Sequence, residues 1–195
     1  MSDNPRPRLL AGVQLVGVDF RALETHRDRR GAFTEVFQQH WRTCLDPVQW
    51  SVVHSIAGVL RGMHLHRRHD EYFALLEGRA LIGLHDLRPD SPTAGQSSLF
   101  EMTGAHLACV AFPRGILHGW YFPDPSFHLQ AVSEAFLDYG DDDNHGCHWA
   151  DPDLGIPWPQ KTVILSERAA GFPSLRELTS RLSASPFPAA GVSSA

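Results

Sequence analysis

Lysine is nearly absent from this 195-residue chain: Lys161 stands alone against sixteen arginines. That scarcity leaves almost no side chain for Schiff-base chemistry, while the arginines offer planar guanidinium groups that grip anions in pairs. Cysteines number three, Cys44, Cys109 and Cys147, an odd count without close spacing. Neither a disulfide framework nor a cysteine zinc site is expected from them. No run approaches the ~20 consecutive apolar residues of a membrane span, and the opening MSDNPRPRLL lacks the apolar core of a signal peptide. A cytoplasmic protein without a membrane partner is expected. Basic runs are also missing, and with a net charge of −5 no nucleic-acid partner is expected.

What is there suits one ordinary globular domain, since 43% of residues are apolar and 20% charged, and the length leaves room for a single core. The apolar residues fall in short runs rich in Val, Ile, Phe, Tyr and Trp: VQLVGVDF, VQWSVVHS, YFALLEG, RALIGLHDL, HLACVAF and ILHGWYF. Fourteen prolines and sixteen glycines punctuate them at strand-and-turn spacing, which predicts an all-β sandwich or barrel. A helical apolar period occurs over residues 174–182 (SLRELTSRL), and EVFQQHWRTC offers one further short helix. Residues 1–182 are read as a single domain. Residues 183–195, SASPFPAAGVSSA, are read as a disordered tail. The acidic run Asp141-Asp142-Asp143 lacks the alternating spacing of a calcium loop and is read as a solvated loop.

Twelve histidines are the compositional oddity. His64 and His66 are two apart, so on a strand both rings face the same side, and Glu71 follows after four residues on a returning strand. Gly78 comes six residues later, and Pro113, Gly115 and His118 form a separate P-x-G-x-x-H segment. His64, His66, Glu71 and His118 would suit a mid-row divalent metal with positions open to substrate. The plainer alternative is that strand histidines sit on the surface or are hydrogen-bonded in a core, with Glu71 solvated at a strand end. The two spacings together resemble the paired motifs of the cupin superfamily, which implies a jelly-roll β-barrel, or double-stranded β-helix, with a few short flanking helices.

A narrower resemblance covers residues 28–178. Asp28-Arg29-Arg30-Gly31-Ala32-Phe33-Thr34-Glu35, then Gly58-Val59-Leu60-Arg61-Gly62-Met63-His64, begin a collinear series. The series continues through residues 86–95, residues 113–120, Trp149-Ala150-Asp151-Pro152, Ile156-Pro157-Trp158-Pro159 and Leu165-Ser166-Glu167. On these pieces the chain resembles the dTDP-4-dehydrorhamnose 3,5-epimerases, cupins of nucleotide-sugar metabolism. The resemblance implies a cytoplasmic, homodimeric, cofactor-free epimerase or isomerase acting on a nucleotide-linked 4-keto-deoxysugar. It implies that His64 is the base, with Arg61 a substrate-binding cation. Arg30, Phe33 and Glu35 would hold the nucleotide diphosphate, Gln49 would line the pocket, and Tyr139 matches a second, non-catalytic family tyrosine.

The chain departs from that pattern at three places. Ser133 occupies the position of the acid tyrosine, and a hydroxyl is a far weaker acid than a phenol. Ala169 stands where an aspartate orients the family's histidine, and Glu71 aligns approximately with a family lysine. The additions are His66, His69 and Glu71 around His64. Three readings follow: a keto-sugar epimerase or isomerase using His64 and His66; a metal-dependent cupin enzyme with another small substrate; and a non-catalytic sugar-nucleotide-binding module. The first two exclude each other at His64, because one lone pair cannot both bind metal and take a proton.

Overall fold

A computed structural model gives the structure of residues 7–183. Two antiparallel sheets stack face to face. One has the order β1-β9-β8-β11-β6-β13, with strands Arg8–Gly12, Ser97–Thr103, Arg79–Asp86, Ile116–Phe122, Val59–Leu65 and His145–Gly146. The other runs β2-β10-β7-β12-β5, with strands Asp19–Ala22, Ala108–Phe112, Glu71–Glu77, Ser126–Val132 and Gln49–Ser55. A hairpin of β3 (Thr25–Asp28) and β4 (Gly31–Thr34) stands apart from both. Period-two alternation sorts the side chains of each strand. On β11, Ile116, Trp120 and Phe122 enter the inter-sheet core beside His118, while Leu117 and Tyr121 face the opposite side.

Three short helices flank the sheets: α1 (Phe136–Tyr139), α2 (Glu167–Ala170) and α3 (Leu175–Ser183). α3 forms where the helical period predicted it, and it buries Leu175, Leu178 and Leu182 against the outside of the six-stranded sheet. Its start is closed by a capping box, in which Glu177 accepts from the Ser174 N–H and hydroxyl while Ser174 Oγ accepts from Glu177 N–H. Ser183 is therefore the last residue of a helix, and residues 184–195 of the expected tail lie outside the described part. The expected helix at 35–44 is reduced to a 3-10 turn at Gln39–Trp41, ended by Arg42 at φ 53°. Val36, Phe37 and Trp41 cover the outer face of the five-stranded sheet there, and this packing overrides the helical pattern. The expected strand over VQLVGVDF is extended only at its end, because residues 15–18 turn (Val18 N–H to Leu15 O, 3.2 Å) and plug Leu15 and Val18 into the core. No described helix is long and apolar enough to cross a membrane.

One irregularity aims the histidines. β6 pairs with β11 as His118↔His64 and then Gly119↔Gly62, so Met63 is an extra residue on β6. The bulge switches the alternation, placing Val59 and Arg61 before it, and His64 and His66 after it, on one face, while Leu60, Met63 and Leu65 pack on the other. Gly62 is required: at φ 133° a Cβ would sit 2.5 Å from Gly119 Cα.

Between the sheets lies a histidine with no polar partner. His128 is fully buried, stacked on Phe122 with ring centroids 5.3 Å apart and tilted on Phe73 at 4.6 Å, with both nitrogens unsatisfied. Burial, reinforced by the nearby Arg61 charge and opposed by Glu71, lowers its pKa from 6.5 to about 3. The unfolded chain thus takes up a proton below pH 6.5 that the folded chain refuses, so stability falls as pH drops from 6.5 toward 3, at up to ~1.4 kcal/mol per unit. His128→Phe should raise stability at pH 7 by roughly 1–3 kcal/mol, by removing the unsatisfied groups, and should flatten the loss between pH 7 and pH 5. Urea titrations at both pH values check this; equal losses in variant and wild type would show that His128 is not the acid-sensitive group.

Candidate active site

Four strands and one loop bring polar groups to the end of the inter-sheet space. β6 supplies His64 and His66, β7 opens with Glu71, β11 carries His118 and β12 carries Gln130. His118 Nε2 lies 2.6 Å from Glu71 Oε2, and its Nδ1 lies 3.0 Å from Ile116 O. Both ring nitrogens thus face oxygen atoms, and the Nε2 contact with Glu71 is of ion-pair length. Gln130 Nε2 donates to the other oxygen, Glu71 Oε1, and His66 Nε2 stands 4.0 Å from that atom. His66 Nδ1–H donates to Asp143 O at 2.8 Å. The His64 ring is held edge-on against Phe172 at 5.7 Å, a contact that depends on Gly146, since a Cβ there would meet the Phe172 ring at 2.4 Å.

Burial dominates the protonation of the two β6 histidines. It pushes His64 down to about 3, helped by His118 and His66, and pushes His66 down to about 4 against the pull of Glu71. Burial acts to raise Glu71, but the facing His118, then His66 and His69, win and hold its carboxyl well below the usual range. At neutral pH the site therefore holds an ionised carboxylate beside two neutral imidazoles with lone pairs to offer.

The expected four-ligand set assembles only in part. Ligand atoms of His66, Glu71 and His118 lie within 4.8 Å of one another, and so do those of His66, His69 and Asp143; His64 joins neither group among the described residues. Its ring centroid is 6.0 Å from that of His118 and 6.4 Å from that of His66. Arg61 is tied to β5, donating to Ser55 Oγ at 2.9 Å and His54 O at 3.2 Å. Gln49 Oε1 accepts from Phe136 N–H and so anchors α1. Tyr139 on α1 is buried, stacks on His69 at 4.3 Å and lies 6.3 Å from the His66 ring. Arg30, Phe33 and Glu35 are exposed on or beside the β3–β4 hairpin, Arg30 paired only with Asp28 of the same turn.

Two participants were not expected from the sequence, Gln130 and Asp143, and His69, read there only as an addition beside His64, enters the site with them. His69 and Asp143 are each 1% exposed, so the acidic run is solvated only at Asp141 and Asp142. A signal existed in the odd position of His69 between H-x-H and Glu71, but nothing in the spacing marked Asp143. Ala169 is buried in α2 and brings no carboxylate. Ser133 Oγ accepts from Asp70 N–H at 2.8 Å, and Ser133 N–H donates to Asp70 O at 3.1 Å.

Two stacked antiparallel sheets thus enclose histidines and a carboxylate at one end. A family model described as dTDP-4-dehydrorhamnose 3,5-epimerase matches residues 13–177, and the chain belongs to that family. It is similar to the dTDP-4-dehydrorhamnose 3,5-epimerase of Streptomyces griseus, at 30% identity over 79% of this chain and 80% of the relative. The spore coat polysaccharide biosynthesis protein SpsL of Bacillus subtilis matches at 28% identity, over 73% of this chain and 95% of its own. A Legionella pneumophila dTDP-6-deoxy-D-glucose-3,5-epimerase solved with dTDP-4-keto-L-rhamnose superposes with a TM-score of 0.79, at 25% identity over 90% and 96% of the two chains.

The bonds of Ser133 are those of a structural clamp. Ser133→Ala should lower stability by about 1 kcal/mol and leave turnover of a keto-sugar nucleotide within twofold; a large fall in turnover at unchanged stability would make Ser133 the proton donor instead.

Proposed function

We propose that the protein is an epimerase or isomerase of a nucleotide-linked 4-keto-deoxysugar, working as a cytoplasmic homodimer with a cupin jelly-roll barrel. The observation that carries this reading is the pair of neutral imidazoles, His64 and His66, on one face of β6 beside a buried charged pair. His64 takes the proton from the carbon next to the keto group, since its ring is the less buried of the two. His64 passes that proton to solvent, while His66 Nε2, which rests as a lone pair, takes a proton from solvent and delivers it to the enolate carbon; Arg61 binds the anionic substrate. The phenol and the orienting aspartate of the family pattern have no part, because Ser133 and Ala169 replace them. Arg30, Phe33, Glu35, Gln49 and Tyr139 are assigned to substrate binding; the exposed hairpin supplies the first three across a dimer interface.

A second reading has one specific observation in its favour. The Nδ1 atoms of His66 and His118 are both engaged by backbone carbonyls, so their Nε2 atoms turn toward Glu71. That is the outer hydrogen bonding that metal-ligating histidines use. His66, Glu71 and His118, with His64 only after a ring shift, would hold a divalent ion acting as a Lewis acid on a carbonyl oxygen. The ion would have to displace the proton that His118 shares with Glu71.

The tests separate these readings and the binding module. With a dTDP-4-keto-6-deoxysugar in deuterated water, the wild type should wash deuterium into C3 or C5, and His64→Asn should slow this by ~10²-fold or more. Tight dTDP binding with no exchange would leave a binding module. Elemental analysis of protein purified without chelator should find no stoichiometric metal; about one ion per chain, lost in His66→Ala, would support the metal enzyme. The homodimer is supported by Trp50, Val52, Val48 and Phe33, which are 42%, 60%, 60% and 63% exposed. Trp50→Glu should therefore shift the sedimentation coefficient from dimer to monomer, and a wild-type monomer would refute the assignment.

A further inference from the structure

Asp143, outside the expected set, joins the turn after β6 to two histidines. Its Oδ1 accepts from Arg67 N–H at 2.7 Å and its Oδ2 from Arg68 N–H at 2.9 Å. His69 Nδ1 lies 3.0 Å from Oδ2, an ion-pair contact whose angle departs from that of a hydrogen bond. The backbone carbonyl of the same residue accepts from His66 Nδ1–H. One residue thus holds the turn after β6 and both histidines that border it, and the two rings end 4.0 Å apart.

These contacts set tautomers. The Asp143 carbonyl only accepts, so His66 places a proton on Nδ1 and keeps the Nε2 lone pair, and the carboxylate 3.0 Å from His69 Nδ1 favours a proton on that nitrogen. His66 Nε2 then faces Glu71 across 4.0 Å, and His69 Nε2 is buried without a partner. Position 169, by contrast, carries a buried methyl group. We propose that Asp143 is the positioning residue of this site, fixing the ring orientation and tautomer of His66 and His69 in place of a carboxylate at position 169. The proposal rests on the acid–base reading for its effect on turnover, but not for its effect on tautomers.

The experiment compares wild type with Asp143→Asn in protein carrying nitrogen-15 histidine. Two-bond nitrogen–proton correlation spectra should give Nδ1–H for His66 and His69 in the wild type. In Asp143→Asn the His69 pattern should change, because the amide oxygen stays with the turn N–H groups and the amide nitrogen donates. Turnover of the keto-sugar nucleotide should fall by about 10- to 100-fold in kcat with KM within threefold, and Asp143→Glu should recover part of it. An Nε2–H tautomer of His69 in the wild type, or an unchanged spectrum and kcat in the variant, overturns the proposal. If Asp143→Asn does not fold, His69→Gln keeps the Asp143 turn; a kcat within twofold of wild type then overturns it. A wild type without turnover defeats the epimerase reading alone, since the spectra still decide the role of Asp143.

Discussion

The ion pair between Glu71 and His118 is the constraint on which the site depends. Glu71 is 2% exposed, and a carboxylate taken out of water loses several kcal/mol of hydration that only close partners restore. His118 and Gln130 restore it, and they come from different layers: His118 from the six-stranded sheet, Gln130 and Glu71 from the five-stranded one. The pair therefore bridges the two sheets at their polar end. Deleting either partner of such a pair costs roughly 3–5 kcal/mol because the other is left charged and buried. The same charge decides the chemistry available, since it sits beside imidazoles that burial keeps neutral.

The remainder of the inter-sheet space is hydrocarbon. Phe73, Leu75, Ile82, Leu84, Val110 and Trp120 fill it, interrupted by the buried ring of His128. That division follows from strand alternation, except at β6, where regular alternation would have sent His64 and His66 outward with Leu60. The extra residue Met63 reverses this. It buries its own side chain against the outer layer and turns both imidazoles inward. A bulge is thus the device that makes two apolar-flanked histidines into a site.

Much of this was legible in the sequence. The short apolar runs located β7, β8, β10 and β11, because strands buried on both faces read as continuous Val, Ile, Leu and aromatic runs, and β5, whose burial alternates, by the same Val and Trp content. The histidine and glutamate spacing placed Glu71, His66 and His118 together. β1, the β3–β4 hairpin and β9 were not legible: RLLAG, THRD, GAFT and SSLFEMT carry polar or mixed residues whose strand state comes from pairing with neighbours. Asp143 was illegible for a similar reason. A third aspartate in a run looks solvated until the turn after β6 presents two N–H groups and an imidazole to it.

Serine at position 133 is understood from that turn. Residues 67–70 form a short connection between the strand of His66 and the strand of Glu71, and its backbone donors need partners away from water. Asp143 takes the N–H groups of Arg67 and Arg68, and Ser133 Oγ takes that of Asp70. Asp70 in turn accepts from Arg114 N–H at 2.9 Å, while Gly115 N–H donates to His66 O at 2.8 Å. A phenol at position 133 has its oxygen about four bonds farther from the backbone than a serine hydroxyl and could not close this contact. Serine at 133 and aspartate at 143 are therefore parts of one arrangement, in which a tight turn carries His66, His69 and Glu71.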